Sequence, residues 1–155
     1  MKAIIRIIAS GLYTGYSPVA PGTIGSLWGV LIYLLLYKQP VIFIFVTMLL
    51  FIVGFLVCAK AEAIFNEKDS RKIVIDEIAS MCLVCLFIKP GWFMVVVGFL
   101  IFRFFDVTKP PPIKRVETFA GSVGIMLDDV IAAVYTIVIL FIIYALNFHS
   151  SLFIR

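Results

Sequence analysis

Long apolar runs separated by short polar segments dominate the chain. Val41–Ala59 is a stretch of nineteen residues without a charge, enough to cross about 30 Å of hydrocarbon as a helix rising about 1.5 Å per residue. Ile131–Phe148 is nearly as apolar. Three shorter runs cross only if they are tilted or extended by flanking residues; they are Ile24–Tyr37, Ile73–Ile88 and Trp92–Phe105.

The polar segments between these runs predict the connections. Lys38-Gln39-Pro40 and Lys89-Pro90-Gly91 read as tight turns, whereas residues 62–72 and 106–124 form longer segments rich in charge or in Pro and Gly. The pattern predicts an all-α, polytopic helical membrane protein with about five spans. We expect two hairpins and a final helix in a single membrane-embedded domain, 1–155.

Composition agrees with this pattern. Hydrophobic residues make up 63% of the 155 residues and charged residues 14%, with a mean hydropathy of +1.16, whereas soluble domains are about half apolar and about a quarter charged. The surplus apolar surface must face lipid. Arg6 interrupts the apolar start of the chain and no small-residue cleavage site follows, so we expect the start to be mature protein and not a signal peptide.

The distribution of charge predicts an orientation. With the N-terminus in the cytoplasm, ten Lys and Arg residues fall on that side and three on the other, as the positive-inside tendency requires. The same threading places all nine acidic residues at or near the cytoplasmic face. The net charge of +4 is scattered, which argues against nucleic acid as a partner and favours anionic lipid.

Two pairs of adjacent acids enter apolar runs, Asp76-Glu77 and Asp128-Asp129. A charged carboxylate at the centre of hydrocarbon costs at least about 2.5 kcal/mol, so something must offset it. Mg²⁺ prefers hard oxygen ligands and is commonly coordinated by protein carboxylates and substrate phosphates together. Neighbouring helix positions diverge by about 100°, so one acid of each pair can bind metal while the other orients a ligand or base. Alternatively, Asp76 and Glu77 are solvated residues in the first turn of a helix that begins later.

Other polar residues could complete an anion site. Gly22, Thr23, Gly25 and Ser26 open an apolar helix after two prolines, and free N–H groups at such a terminus bind anions; an ordinary loop entering a helix has the same composition. Three prolines follow Lys109 and would aim it, with Lys114 and Arg115, at an anion or at lipid headgroups. Asp106 lies three residues after Arg103, where the two can form an intrahelical ion pair.

Several catalytic classes are excluded by what the sequence lacks. Its single histidine, His149, lies after the last apolar run, and the chain contains no C-x5-R, D-x-D-x-T or P-loop motif. Cys58, Cys82 and Cys85 lie inside apolar runs, and we expect buried hydrophobic residues there and not a zinc site. Carboxylates and a metal ion remain as the means of catalysis.

At these residues the sequence resembles the phosphatidylglycerophosphatase A family, from Gly11 to about Ala145. Four motifs carry the resemblance in order: SPVAPGTIGSLWG, IDEIASM, FRFFDVTKPPPI and GSVGIMLDDVIA. It implies an all-helical, Mg²⁺-dependent enzyme that hydrolyses phosphatidylglycerophosphate to phosphatidylglycerol at the cytoplasmic face of a bacterial inner membrane. It places this chain on the family's functional positions at Thr23, Ser26, Asp76, Glu77, Asp106, Lys109, Asp128 and Asp129, and leaves Ser122 without a role.

With this resemblance, the hypothesis is that some of the five acids hold Mg²⁺ against the phosphomonoester. Lys109, with Arg115 as a second candidate, would stabilise the phosphoryl oxygens, and Asp129 or Asp76 would orient the attacking water. A phosphoenzyme through Thr23 or Ser26 stays open. So do three other functions: a phosphatase for a different phosphomonoester, a small ion or solute transporter with embedded carboxylates, and a non-catalytic scaffold.

Overall fold

The chain is helical in its computed structural model, which describes residues 1–68, 70–88 and 91–152, with side chains up to residue 146. Within these ranges there is no β-strand. The α-helices are α1 (Lys2–Ala9), α2 (Pro21–Leu36), α3 (Pro40–Phe65), α4 (Ile75–Leu86), α5 (Trp92–Thr108), α6 (Ile113–Val116) and α7 (Ser122–Leu152), and a single 3₁₀ turn, Thr14–Tyr16, precedes α2.

Helix α4 lies at the centre of the fold. It packs against α2, α3, α5 and α7, and most of its residues are buried. The packing against α2 is close because glycines line that face of α2. A Cβ on Gly25 would lie 2.9 Å from Val74 Cβ, and one on Gly29 would lie 2.8 Å from the Ile78 carbonyl oxygen, so larger residues there would push the two helices apart.

Two helices, α3 and α7, are long and apolar enough to cross a membrane within the described residues. This is fewer than the five or so spans that the sequence predicts, some of them short or tilted. Helix α2 has 16 residues, α4 has 12 and α5 has 17, and twelve residues cover only about 18 Å. Most side chains of the apolar run Ile73–Ile88 are buried by other helices, so much of this run does not need lipid to cover it.

The outer faces of α3 and α7 expose large apolar side chains. Along α3 these include Phe45, Met48, Ile52 and Leu56, and along α7 they include Val138, Phe141 and Leu146. Exposed apolar patches of this extent mark interaction with a membrane or with other proteins. Together with the length of both helices, they indicate a membrane protein.

Helix ends differ from the predicted limits where charged residues lie. Helix α3 continues to Phe65, past the predicted end at Ala59, and α5 continues to Thr108, so that Asp106 is helical. The turn before α3 is confirmed, since Pro40 begins that helix. The Lys89-Pro90 turn, Asp69 and Arg155 lie outside the described residues, as do the side chains of His149 and of the last two residues of Ile131–Phe148.

Candidate functional site

Three carboxylates converge beside the first turn of α4. Asp76 and Glu77 project from that turn and Asp129 from α7, and one oxygen of each lies within 4.8 Å of the other two. We call these three residues the acidic cluster. The remaining predicted metal ligands lie close by, since Asp106 interacts electrostatically with Asp129 and Asp128 with Asp76.

The position of α4 resolves the two interpretations of its acids. The helix begins at Ile75, so Asp76 and Glu77 are first-turn residues, as the alternative interpretation held. They are nevertheless not solvated, because Asp76 is only 7% exposed and Asp129 only 3%. Asp76 Oδ1 accepts a hydrogen bond from the Glu77 N–H at 3.0 Å, as a carboxylate at a helix N-terminus commonly does. Asp76 and Asp129 are therefore enclosed by protein, while Glu77 is only partly exposed.

The acidic cluster has oxygens available for a cation. In the described part of the chain, Glu77 Oε2 and Asp129 Oδ2 are buried without a hydrogen-bond partner, and burying such atoms unpaired is costly. Carboxylate oxygens from two helices are the donor set that Mg²⁺ takes in proteins, usually through one or two carboxylates and several waters. The cluster therefore fits a divalent cation, which would neutralise charge that these side chains leave uncompensated.

Arg103 connects the acidic cluster to α2 and α5. Its Nη1 forms an ion pair with Asp106, lies 4.0 Å from Glu77 Oε1, and donates to Ser26 Oγ at 3.4 Å. The predicted ion pair within α5 is confirmed, but Arg103 also reaches the site, and the sequence analysis did not include it among the site residues. The position of Arg103 in the sequence could have indicated this role, because a cation inside an apolar run needs buried partners.

Lys109 joins the other acidic pair to the segment after the prolines. Its Nζ lies 2.8 Å from Asp128 Oδ2 and 3.0 Å from Glu117 Oε1. Asp128 Oδ1 accepts from the Asp129 N–H at 2.9 Å, so the carboxylate that pairs with Lys109 also contacts the backbone of the acidic cluster. Glu117 was not a predicted site residue, and nothing in its local sequence distinguishes it from a surface acid.

A polar pocket of about 540 Å³ opens beside Glu77 and Arg103. The N-terminus of α2 forms part of its wall through Pro21, Gly22 and Thr23. A Cβ on Gly22 would lie 2.1 Å from Glu77 Oε1, so glycine is what allows the carboxylate to approach this helix end. The anion site predicted at the start of α2 thus borders the pocket. Ala20, the residue before this helix, has a strained backbone with a φ of 45°.

The other predicted phosphate-binding residues are placed differently. Ser26 is fully buried and its hydroxyl donates to the Gly22 carbonyl oxygen at 3.0 Å. Arg115 is exposed on α6, outside the set of residues that line the pocket. Arg71 and Lys72 do line it, although the sequence analysis gave them no role at the site.

Residues outside the site have structural explanations. All three cysteines are buried and free of disulfides, as expected for small hydrophobic residues. Ser122 Oγ accepts a hydrogen bond from the Ala59 N–H at 2.8 Å. That contact fixes the start of α7 against α3, and so gives a role to a residue that the resemblance left unexplained.

Comparison with known proteins identifies related sequences over most of the chain. Residues 7–144 match the family model described as phosphatidylglycerophosphatase A. A Haemophilus influenzae protein of that name is 36% identical over 88% of this chain and 86% of its own length, and one from Escherichia coli is 34% identical over 89% and 82%. A Bacteroides thetaiotaomicron protein named putative phosphatidylinositol-3-phosphatase is 34% identical over 86% and 89%. No solved structure matches the chain.

Proposed function

The chain belongs to the phosphatidylglycerophosphatase A family, and from this premise we propose how its site hydrolyses phosphatidylglycerophosphate to phosphatidylglycerol and phosphate. It is a phosphoric monoester hydrolase. The observation that carries the proposal is the convergence of Asp76, Glu77 and Asp129 beside a polar pocket walled by a helix N-terminus. Carboxylates with an adjoining anion site are suited to metal-assisted phosphoryl transfer.

Mg²⁺ is the cofactor that this donor set fits. Asp76, Glu77 and Asp129 would hold it, with Asp106 and Asp128 as neighbouring acids that Arg103 and Lys109 orient. Bound there, Mg²⁺ would supply Lewis-acid polarisation of the phosphoryl oxygens and neutralise their charge. The unpartnered oxygens Glu77 Oε2 and Asp129 Oδ2 support this assignment.

The protein's own residues would position the phosphomonoester and the water. Thr23 and the N–H groups at the start of α2 would bind phosphoryl oxygens, while Lys109 would stabilise the charge that develops on them. Asp129 would orient the attacking water and take its proton through the carboxylate oxygen that does not hold the metal. The water's oxygen forms a new bond to phosphorus while the bond from phosphorus to the glycerol oxygen breaks. That oxygen takes a proton, from solvent or from protonated Asp129, and leaves as the hydroxyl of phosphatidylglycerol.

A bilayer explains why this activity resides in such an apolar chain. The substrate's acyl chains would stay in lipid beside the exposed faces of α3 and α7, while its headgroup reaches the pocket. We infer that the pocket faces the cytoplasm of a bacterial inner membrane, because the predicted threading places ten Lys and Arg residues on that side and three on the other.

A second substrate has specific support. One relative is named for a phosphatidylinositol 3-phosphatase, and phosphatidylinositol 3-phosphate is also a membrane lipid with a phosphomonoester on its headgroup. The transporter alternative receives less support, because three acids cluster at one helix end and do not line a path across the fold.

Phosphate release from purified protein in neutral-detergent micelles tests the proposal. Phosphatidylglycerophosphate should be hydrolysed with Mg²⁺, and chelation with EDTA should stop the reaction until Mg²⁺ is restored. Asp129→Asn should lower kcat at least about 100-fold, whereas the matched Glu62→Gln change, on α3 outside the pocket, should leave it within about threefold. Undiminished release by Asp129→Asn would refute the role of the cluster, and phosphatidylinositol 3-phosphate assayed in parallel identifies the preferred substrate.

A further inference from the structure

Two cations line the pocket without belonging to the acidic cluster's ion pairs. Arg103 pairs with Asp106 and lies near Glu77. Arg71 and Lys72 line the same pocket, and among the described residues neither has a carboxylate partner. Positive charge that no described acid compensates is available for an anionic ligand.

The segment that carries these cations is held firmly against the N-terminal part of the fold. The Val74 N–H donates to the Ala9 carbonyl oxygen at 2.9 Å, and a Cβ on Gly15 would lie only 2.2 Å from the Lys72 carbonyl oxygen. Backbone therefore packs directly on backbone at this point. The position of Lys72 relative to the pocket is fixed by contacts that do not involve its own charge.

The Lys72 side chain is held by aromatic rings. Its Nζ lies 5.8 Å from the ring centroid of Tyr16 and 5.6 Å from that of Phe65. Cation–π contacts orient an ammonium group while leaving its N–H donors free to bind an anion. Tyr16 lines the pocket as well, so the ammonium group is held beside the pocket.

The lining of the pocket consequently contains two chemically different groups of residues. Gly22, Glu77 and Arg103 lie close together next to the acidic cluster, and Gly15 and Tyr16 lie against Lys72. A ligand that contacts both groups carries one group suited to a metal-binding acidic site and a second, anionic group suited to Arg71 and Lys72.

We propose that Arg71 and Lys72 bind the phosphodiester of the substrate headgroup, an inference that rests on the proposed function. The two cations would thereby select lipids that carry both a phosphodiester and a phosphomonoester. Phosphatidylglycerophosphate has this arrangement, with its two phosphates joined through glycerol. Phosphatidylinositol 3-phosphate has it too, joined through inositol. The charge arrangement of the pocket matches the feature that the two lipids share.

The test measures KM and kcat for phosphatidylglycerophosphate in neutral-detergent micelles. Arg71→Gln/Lys72→Gln should raise KM about tenfold or more with kcat within about threefold, because the lost contact binds ground state and transition state alike. The matched control Lys60→Gln/Lys68→Gln removes the same charge from the same region outside the pocket and should leave KM unchanged. Lys72→Arg keeps the charge and should retain most of the affinity.

Phosphatidylglycerol serves as a second probe, because it keeps the phosphodiester and lacks the phosphomonoester. Its inhibition constant should rise about tenfold in Arg71→Gln/Lys72→Gln, and that of diacylglycerol should not change. An unchanged KM and inhibition constant in a variant that elutes and melts like wild type overturns the inference. If the double variant does not fold, each single change is measured in the same way, with a KM rise of about threefold or more expected in each.

A comparison of neutral micelles with anionic vesicles separates substrate binding from binding to the bilayer. If Arg71 and Lys72 contact only headgroups of surrounding anionic lipid, the defect appears in anionic vesicles and is absent in neutral micelles, which contradicts the inference. Wild-type protein that releases no phosphate contradicts the proposed function instead. In that case, calorimetric binding of phosphatidylglycerol to wild type and double variant still decides the role of the two cations.

Discussion

Gly22→Ala is the most direct test of whether the close approach of Glu77 to the start of α2 sets the geometry of the site. A Cβ at this position would lie 2.1 Å from Glu77 Oε1 and 3.1 Å from Arg103 Nη1. The carboxylate must retreat by about 0.9 Å to reach 3.0 Å, below which Cβ contacts essentially do not occur. A misplacement of about 1 Å in a catalytic constellation costs about 100-fold in rate, equivalent to about 2.7 kcal/mol of transition-state stabilisation.

The same change should affect stability little, which separates the catalytic effect from misfolding. Alanine is favoured over glycine in a helix by up to about 1 kcal/mol, which offsets part of the strain of moving the flexible end of Glu77. We expect kcat/KM for phosphatidylglycerophosphate to fall about 100-fold while the thermal midpoint in detergent moves by no more than a few degrees.

Gly98→Ala is the matched control for this prediction. It is the same substitution inside α5, where the new Cβ meets the flexible Ile88 side-chain end at 2.8 Å, beyond the end of α4 opposite to the acidic cluster. Its kcat/KM should stay within about threefold of wild type. If Gly22→Ala is as active as Gly98→Ala, the contact between α2 and Glu77 does not set the geometry of the reaction.

Two further predictions concern the cations at the site. Arg103→Lys should lower kcat/KM about 10-fold to 100-fold without loss of fold, because the shorter lysine side chain does not bring its ammonium to the point where Nη1 meets Asp106, Glu77 and Ser26; activity near wild type would show that charge alone suffices. Lys109→Gln should lower both the thermal midpoint and kcat, since it leaves the buried carboxylate of Asp128 without its partner at 2.8 Å. Adding Asp128→Asn should restore the midpoint and not the activity, and recovery of both would contradict a catalytic role for Lys109.

The sequence was sufficient to predict the helical class and the three acids that the structure brings together. Acids that interrupt apolar runs need compensation wherever they lie, so Asp76, Glu77 and Asp129 could be proposed as neighbours without knowing how their helices pack. The Arg103–Asp106 pair followed from helical spacing alone.

The number of spans and the second half of the pocket could not be predicted in the same way. Hydropathy measures how apolar a segment is, and a helix buried by protein on all sides scores like one buried by lipid; α4 is such a helix. Arg71 and Lys72 look like ordinary loop cations in the sequence, and only the contact of Lys72 with Gly15 and the aromatic rings places them at the pocket.

Helix α4 carries two of the three acids of the acidic cluster, and it is also the helix against which α2, α3, α5 and α7 pack. The twelve residues of α4 therefore contribute both to the packing of the fold and to the acidic cluster, so a change there affects both. Selection for heat resistance should accumulate substitutions on the outward faces of α3 and α7 and leave α4 almost untouched.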